Sequence, residues 1–308
     1  MIHSIISVLK NCWINPIWTI CCAIRNKGGI VACWNLVFRK YREGLSIKTI
    51  LRESWKSRIG TGYFEWQERF EKLTPQDMSA IRKQIQGLQS PPLISILMPV
   101  YNPDPHLLRQ ALDSVQNQIY PYWELCIADD ASPNAQIQTI LEDYCRADSR
   151  IHVIFRKENG HICAASNSAL DLCTGTYTAL MDHDDILPEV ALYFVAMEIT
   201  QHPDAMLIYS DEDLLSPQDK RYNPHFKPDW NEPLFLASNY LNHLSIYRTS
   251  LLREIGGFRL GYEGSQDHDL TLRCVLKIRP SQIRHIPRIL YHWRQFPGSG
   301  SFSDRALE

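Results

Sequence analysis

Apolar and polar positions follow three successive patterns along the chain. In residues 1–60, apolar patches that contain tryptophan alternate with clusters of lysine and arginine. Residues 61–92 are polar, with Thr74-Pro75 typical of a helix start and Pro91-Pro92 closing the segment. From residue 93 onward, short apolar runs alternate with amphipathic stretches. These patterns predict a basic amphipathic helical arm at 1–60, a helical connector at 61–92 and an α/β domain at 93–303.

Four apolar runs in the third region predict buried strands. They cover residues 94–98, 123–128, 151–155 and 177–181, and each is followed by a helical pattern. Strand-helix units of about 30 residues predict a Rossmann-like, mostly parallel sheet flanked by helices. In such sheets the ligand lies beyond the carboxyl ends of the strands.

Charge is distributed unevenly between the arm and the rest of the chain. The whole chain has 308 residues and a net charge of -2, which gives no overall field that would attract nucleic acid. Residues 1–60 hold ten Lys/Arg and two acids, whereas the remainder holds 22 Lys/Arg and 32 acids. This split favours a basic arm that lies on a membrane surface, attached to an acidic body that can hold a divalent cation. The alternative for the arm is a pair of helices packed on the main domain.

Cysteine usage and the length of the apolar segments predict a cytoplasmic location on the inner face of the membrane. The nine cysteines include no C-x-x-C pair, which favours reduced thiols over a zinc or redox site. The uncharged stretch between Lys10 and Arg25 has 14 residues, fewer than the ~20 needed to span a bilayer, and it lacks a signal-peptide cleavage site.

Polar and aromatic residues follow the predicted strands, where a ligand is expected. The segments are Pro99-Val100-Tyr101-Asn102, Asp129-Asp130-Ala131-Ser132, Arg156-Lys157 and Asp182-His183-Asp184-Asp185. An aromatic ring beside a carboxylate suits a pyrimidine base, and a cation after the third strand suits a phosphate. Paired carboxylates need a proton or a cation to be stable together, and a divalent ion serves when a diphosphate supplies further oxygens. Taken singly, each acidic pair also fits a surface or helix-capping role.

Further acids and aromatic residues occur in the second part of the α/β domain. Asp211-Glu212-Asp213 are interpreted either as solvated loop charges or as part of a binding cleft. Trp230 suits either a sugar-binding surface or the core. Other nucleotide sites fit poorly, because the chain has no G-x-G-x-x-G and no P-loop motif. A phosphatase that uses Asp182 as its nucleophile has no specific support in the sequence.

Together, the motifs P-V-Y-N, A-D-D-A-S, E-N-G-H-x(5)-N-x-A-L and M-D-H-D-D-I-L-P resemble the family 2 glycosyltransferases of GT-A fold, especially those of bacterial surface polysaccharide and O-antigen synthesis. The resemblance covers about residues 93–300. It implies a nucleotide-binding half at 93–200 and an acceptor half at 201–303.

The resemblance also implies a role for individual residues in the nucleotide-binding half. Asp130 accepts from the N3–H of the pyrimidine, and Asp184 binds Mg²⁺ or Mn²⁺ that bridges the two phosphates. His183 is either structural or a contact of the donor sugar. The remaining donor-side residues are Pro99, Tyr101 and Asn102 at the base, Asp129 supporting the loop, and Asp182 at the ribose or sugar.

In the acceptor half, the resemblance implies that Asp267 is the general base. The same residue complements the helix dipole at a helix start. Gln266 stands where the family more often has Glu. The acceptor side further includes Asp211, Glu212, Asp213 and Trp230. The closing segment contains His292, Trp293 and Arg294, followed by residues 297–301; His292 is either a ligand of the metal or diphosphate or a packed residue, and Arg294 neutralises the departing charge.

These inferences give the hypothesis of an inverting, metal-dependent glycosyltransferase. It moves a sugar from a UDP- or dTDP-sugar to a hydroxyl of a growing glycan, either free or lipid-linked, and has no nucleic acid partner. The alternative is a non-catalytic nucleotide- or glycan-binding scaffold of a membrane polysaccharide assembly, which the Gln266 departure favours.

Overall fold

The computed structural model describes residues 62–295. The chain divides into two compact units, residues 1–69 and residues 70–308. Of the first unit only residues 62–69 are described, and they are helical. The arm predicted at 1–60 and the closing stretch at 297–301 lie outside the described residues. No helix within residues 62–295 has the length and apolar character to cross a bilayer.

The second unit contains a mixed α/β array whose first half alternates strand and helix. Helices cover α1 (Pro75–Gln86), α2 (Pro105–Gln116), α3 (Ala135–Ala147), α4 (His161–Leu172), α5 (Ala191–Gln201), α6 (Glu232–Ala237), α7 (Thr249–Glu254) and α8 (Gln266–Val275). Strands cover β1 (Ile94–Val100), β2 (Trp123–Asp129), β3 (Ile151–Phe155), β4 (Tyr177–Leu180), β5 (Leu207–Leu215), β6 (Arg221–His225), β7 (Ser245–Arg248) and β8 (Ile283–Arg294).

All eight strands of the described residues form one sheet, in the order β3-β2-β1-β4-β7-β5-β6 with β8 paired to β5. The pairs β1–β2, β1–β4, β2–β3 and β5–β8 are parallel, whereas β4–β7, β5–β7 and β5–β6 are antiparallel. The predicted α/β class is confirmed. The antiparallel pairings all involve strands of the second half, which the sequence pattern did not specify.

Successive side chains of the central strands point to opposite faces of the sheet, so each face has its own hydrophobic core. In β1, Ile96 and Met98 belong to one buried cluster and Leu97 to the other. In β2, Ile127 and Cys126 divide in the same way. Because both faces are covered, the strands read as continuous apolar runs, which is the pattern of a parallel sheet.

Local sequence signals define α1, the helix that precedes the first strand of the sheet. Thr74 caps α1 as predicted: its hydroxyl accepts from the Asp77 N–H, and Asp77 bonds back to the Thr74 N–H. Ile81 and Ile85 of α1 join the first core cluster. The predicted connector therefore packs, in its second part, within the same unit as the sheet.

Candidate active site

A cavity of about 430 Å³ opens at the carboxyl ends of β1, β2 and β4. This is the edge at which α/β sheets bind ligands. Its walls come from the turn after β1, the residue after β2, the start of α4 and the acidic segment after β4. The lining residues are Pro99, Val100, Tyr101, Asp130, Asn159, His161, Ile162, Ala165, Asp182, His183 and Asp184. Residues that are distant in the sequence therefore share one cavity.

The turns after β1 and β2 are tied together by Ser132. The Asn102 N–H donates to the Ser132 hydroxyl over 2.8 Å, and that hydroxyl donates in turn to the buried Asp129 carboxylate. Asn102 has a φ of 46°, so the chain turns sharply away from the strand. The adjacent Tyr101 ring is left 50% exposed at the cavity wall. Asp129 thus supports this loop, and an exposed aromatic face is available to a ligand.

Asp130 is buried and is fixed by groups from the segment that precedes α4. The Arg156 guanidinium donates to Asp130 Oδ1 over 2.7 Å, and the Gly160 N–H donates to both carboxylate oxygens over 3.0 and 3.1 Å. Arg156 also donates to the Ala164 carbonyl and the Ser168 hydroxyl. A Cβ at position 160 would lie 2.5 Å from the Arg156 guanidinium, so this close approach requires glycine. Arg156 is the ion-pair partner of Asp130, and its predicted place near a phosphate stays a prediction.

The acidic segment after β4 holds three carboxyl groups in different environments. Burial raises the pKa of Asp184, and the charge of Asp182 adds to the rise while His183 opposes it. Asp185 is 1% exposed and accepts from the Tyr291 hydroxyl over 2.6 Å and from the Arg294 N–H over 2.7 Å. Burial, followed by the charges of Asp182 and Asp184, raises the pKa of Asp185 well above its usual range.

The fit of this segment to a divalent cation follows from its charge. Asp182 and Asp184 both line the cavity, and each disfavours ionisation of a neighbouring carboxyl group. A cation between them would remove this repulsion, and carboxylate oxygens are the ligands that Mg²⁺ and Mn²⁺ prefer. Within the described residues, one further grouping of ligand atoms suits a metal: Asp182, Asp185 and His243, with one ligand atom of each within 4.8 Å of the others.

His243, which no sequence motif indicated, lies between Asp182 and Glu212. Its Nδ1 is 3.0 Å from Glu212 Oε2, and its Nε2 is 3.9 Å from Asp182 Oδ2. Burial opposes the charged imidazole, but the hydrogen bond to Glu212 and the charges of Glu212, Asp182 and Asp185 raise the pKa of His243 to about 9. The sequence offered little indication of this role, because His243 is a single histidine outside the motifs that we identified.

Glu212 is itself held by Lys227, His225 and His243. Burial favours its neutral form, but the Lys227 ammonium and the hydrogen bonds from His225 and His243 lower the pKa of Glu212 to about 2. Lys227 Nζ lies 3.8 Å from Glu212 and also donates to the carbonyls of Asn242 and His243. The ionised Glu212 therefore fixes both the side chain and, through Lys227, the backbone at His243.

Asp267 lies in the first turn of α8, close enough to the acidic segment after β4 for the charge of Asp182 to act on it. Burial, followed by the charge of Asp182, raises the pKa of Asp267 to about 6. The amides of Gln266 and Asn242 lie 3.4 and 3.5 Å from its Oδ2. Gln266 also accepts from the Gly264 N–H, so it joins the preceding loop to the Asp267 carboxylate. A carboxyl group that titrates near neutrality is suited to general base catalysis.

The three acids of β5 are buried in the sheet, so the solvated-loop interpretation is wrong. They bond to cationic or polar groups from β6, β8 and the segment that follows β6. Asp211 accepts from the Lys227 N–H and from His285, and Asp213 accepts from Arg221. Carboxylates need such partners to be tolerated at this depth.

The predicted closing segment is largely engaged in the fold. His292 is buried with its Nδ1 2.6 Å from Asp213 Oδ1, and burial lowers the pKa of His292. Its predicted contact with a metal or diphosphate stays a prediction. Arg294 donates to the Asp184 carbonyl, Asp219 and Gln110. Its predicted part in neutralising departing charge also stays a prediction. Trp293 lies 5.4 Å from the His243 ring, and Trp230 lies 5.4 Å from the core residue Phe235.

Comparison with known proteins identifies a family and several relatives. Residues 95–256 match the family described as "Glycosyl transferase family 2". The chain is 41% identical over 270 residues to "Uncharacterized protein y4gI" of Sinorhizobium fredii, covering 87% of this chain and 30% of that protein. It is 36% identical over 231 residues to "O-antigen biosynthesis protein RfbC" of Myxococcus xanthus, covering 75% of this chain and 18% of that protein. The chain thus spans less than a third of the length of either relative.

Among solved structures, the chain is similar to TarS 1-349 of S. aureus in complex with UDP-GlcNAc. The TM-score is 0.57 with 22% sequence identity, and the match covers 68% of this chain and 60% of that chain. At this identity the likeness shows a shared fold.

Proposed function

The chain belongs to glycosyl transferase family 2, and from this premise we propose that it is an inverting glycosyltransferase. Its donor is a UDP- or dTDP-sugar, and its acceptor is a hydroxyl of a growing surface glycan. The observation that carries the proposal is the position of Asp182. It lines the cavity with Tyr101, Asp130 and Asp184, and its charge raises the pKa of Asp267.

The donor half of the cavity suits a pyrimidine nucleotide. The exposed ring of Tyr101 is free to stack on the base, and Asp130 accepts from its N3–H. Asp130 already receives Arg156 and Gly160, but each carboxylate oxygen has two lone pairs, so a further hydrogen bond fits. The hydrogen bond from Arg156 holds this carboxylate in a fixed orientation for the base.

Asp267 supplies the chemistry on the acceptor side. Its carboxylate removes the proton from the acceptor hydroxyl as that oxygen attacks the anomeric carbon. The new carbon–oxygen bond forms on the face opposite the breaking bond to the diphosphate, so configuration is inverted. Gln266 and Asn242 donate to Asp267 and hold it in place. Mg²⁺ or Mn²⁺ held by Asp184 would stabilise the diphosphate as the leaving group.

The acceptor class is supported by the names of relatives and by the arm. One relative is an O-antigen biosynthesis protein, so a surface glycan, either free or lipid-linked, is the acceptor that we propose. The clusters of lysine and arginine in residues 1–60 favour attachment to the inner face of an anionic membrane. The alternative function, a non-catalytic scaffold, would bind nucleotide or glycan without turnover.

Release of nucleoside diphosphate from a panel of sugar nucleotides, with Mn²⁺ and with glycan acceptors, tests the proposal. We expect release that requires both a metal and an acceptor, from one or a few donors. Metal-dependent binding of UDP by calorimetry without any turnover would favour the scaffold instead. No binding of any nucleotide or glycan would contradict both.

A further inference from the structure

We infer that His243 is a nitrogen ligand of the divalent cation at the donor site and that it makes this site prefer Mn²⁺ to Mg²⁺. The inference deepens the proposed function and rests on it, because it assumes that the acidic segment after β4 holds a cation. The resemblance to the family pointed to other positions, Asp184 and His292.

The first observation is the orientation of the imidazole. His243 Nδ1 lies 3.0 Å from Glu212 Oε2, and a carboxylate oxygen accepts, so Nδ1 is the nitrogen that donates in this contact. A cation that displaces the Nε2 proton would therefore bind the ring on the side of Asp182. A carboxylate that binds one nitrogen and orients the other toward a metal is the usual second shell of a metal-bound histidine.

The second observation is the distance between the two facing atoms. His243 Nε2 and Asp182 Oδ2 are 3.9 Å apart, which is too long for a direct hydrogen bond. Two atoms that each lie about 2.1 Å from one ion are separated by roughly 3 to 4.2 Å. The gap therefore has the width that a shared cation would fill.

The third observation is that the ring has little freedom to move. His243 stacks on Tyr291 with the ring centroids 4.8 Å apart, and the Trp293 ring lies at 5.4 Å. The Lys227 ammonium donates to the His243 carbonyl over 2.6 Å, which fixes the backbone as well. A ligand whose rotamer is already fixed loses less entropy when it binds a cation.

In the ligand group of Asp182, Asp185 and His243, Asp182 is the acid that is available to bind the cation together with His243. Asp185 is 1% exposed, and its two oxygens already accept from Tyr291 and Arg294. The Asp182 side chain is 46% exposed and lines the cavity. The resulting oxygen and nitrogen ligand pair distinguishes cations, because imidazole binds transition metals and is a poor ligand for Mg²⁺.

The test compares Mn²⁺ and Mg²⁺ affinity by calorimetry on the full chain with UDP present. His243→Gln should weaken Mn²⁺ binding about 10-fold or more and Mg²⁺ binding by less than about 3-fold. His225→Gln is the matched control, because His225 Nδ1 lies 3.1 Å from the same Glu212 while the ring is outside the ligand group of Asp182, Asp185 and His243; it should leave both affinities unchanged. Mn²⁺ affinity of His243→Gln within twofold of wild type would overturn the inference.

A second measurement does not depend on the variant folding. Pulsed electron paramagnetic resonance of Mn²⁺ bound to the wild-type chain with UDP should show a directly bonded ¹⁴N nucleus, and a signal without nitrogen coupling would overturn the inference. Metal-dependent transfer that continues without such coupling would leave the proposed function intact. Absence of transfer with every donor, together with a nitrogen-coupled Mn²⁺ signal, would contradict the proposed function and not the metal ligand.

Discussion

The charge of Asp182, after β4, reaches Asp267 at the start of α8 and, after burial, is the main reason that the pKa of Asp267 rises to about 6. The two residues belong to different halves of the domain. Asp182 lines the cavity, whereas Asp267 faces the amides of Asn242 and Gln266. The proposed positions of donor binding and of proton removal are therefore close together.

Replacing the base should separate catalysis from stability. Asp267→Asn should lower kcat by about 10² to 10⁴-fold, because the amide cannot accept the acceptor proton. The unfolding temperature should not fall, since the change removes a charge that burial and Asp182 disfavour. Asp269→Asn is the control on the same helix: it leaves Arg259 and Arg273 without their shared carboxylate and should cost about 1 to 3 kcal/mol of stability. Equal turnover of Asp267→Asn and wild type would remove Asp267 from the mechanism.

The dependence of transfer on pH should reflect the same carboxyl group. Only the ionised form of Asp267 accepts a proton, so kcat/KM should increase as pH rises through about 6 and should fall about tenfold per pH unit below it. A metal or diphosphate that adds charge nearby will move this midpoint. Profiles measured between pH 4.5 and 8 provide the test, and a residual activity of Asp267→Asn that retained the same acidic limb would assign the limb to another group.

Much of the fold was predictable from sequence because its first half uses local signals. Apolar runs at regular intervals define β1 to β4, and helix-start residues such as Thr74-Pro75 define α1. The second half depends on pairing between distant segments, as in β5 with β7 and β8. The sequence alone left Asp211 and Asp213 open to interpretation as solvated loop charges or as part of a cleft, because their partners, His285 and Arg221, come from other strands.

The candidate site likewise contains residues that local sequence patterns predicted and residues that only contacts in the folded chain bring into place. Tyr101, Asp130 and Asp184 were predictable because each follows a strand at the carboxyl edge. His243 was not, because its position depends on Glu212 and Lys227, which are contacts of the folded chain. Arg156 was predicted at the right strand end, but its geometric relation to Asp130 was not evident from the sequence.

Breaking the Arg156–Asp130 pair should affect both nucleotide affinity and stability. Arg156→Met leaves Asp130 buried without its cationic partner, which costs about 3 to 5 kcal/mol of unfolding free energy. Asp130 then also loses the donor that fixes its orientation, so UDP affinity should fall as well. Arg146→Met is the matched control, because Arg146 pairs with Asp143 on the surface and should change the unfolding free energy by less than about 1 kcal/mol. Unchanged UDP affinity of Arg156→Met would argue against a role of the pair in holding the base.

The proposed attachment of residues 1–60 to membranes should be separable from the proposed catalysis. Arg39→Glu with Lys40→Glu should weaken binding to vesicles that contain phosphatidylserine by about 10-fold or more, since each basic residue near the surface contributes about 1 kcal/mol. Arg82→Glu with Lys83→Glu, on the exposed face of α1, is the control and should leave vesicle binding unchanged. Equal losses in the two double variants would indicate a general effect of charge rather than an arm.

A crystal structure of the full chain with UDP and Mn²⁺ tests the central claim most directly. We expect the uracil ring beside Tyr101 and Asp130, the diphosphate and Mn²⁺ at the segment after β4, and the Asp267 carboxylate facing the diphosphate across an open acceptor space. UDP bound elsewhere, or an Asp267 carboxylate turned away from the bound diphosphate, would contradict the claim that Tyr101, Asp130, the segment after β4 and Asp267 form a single site.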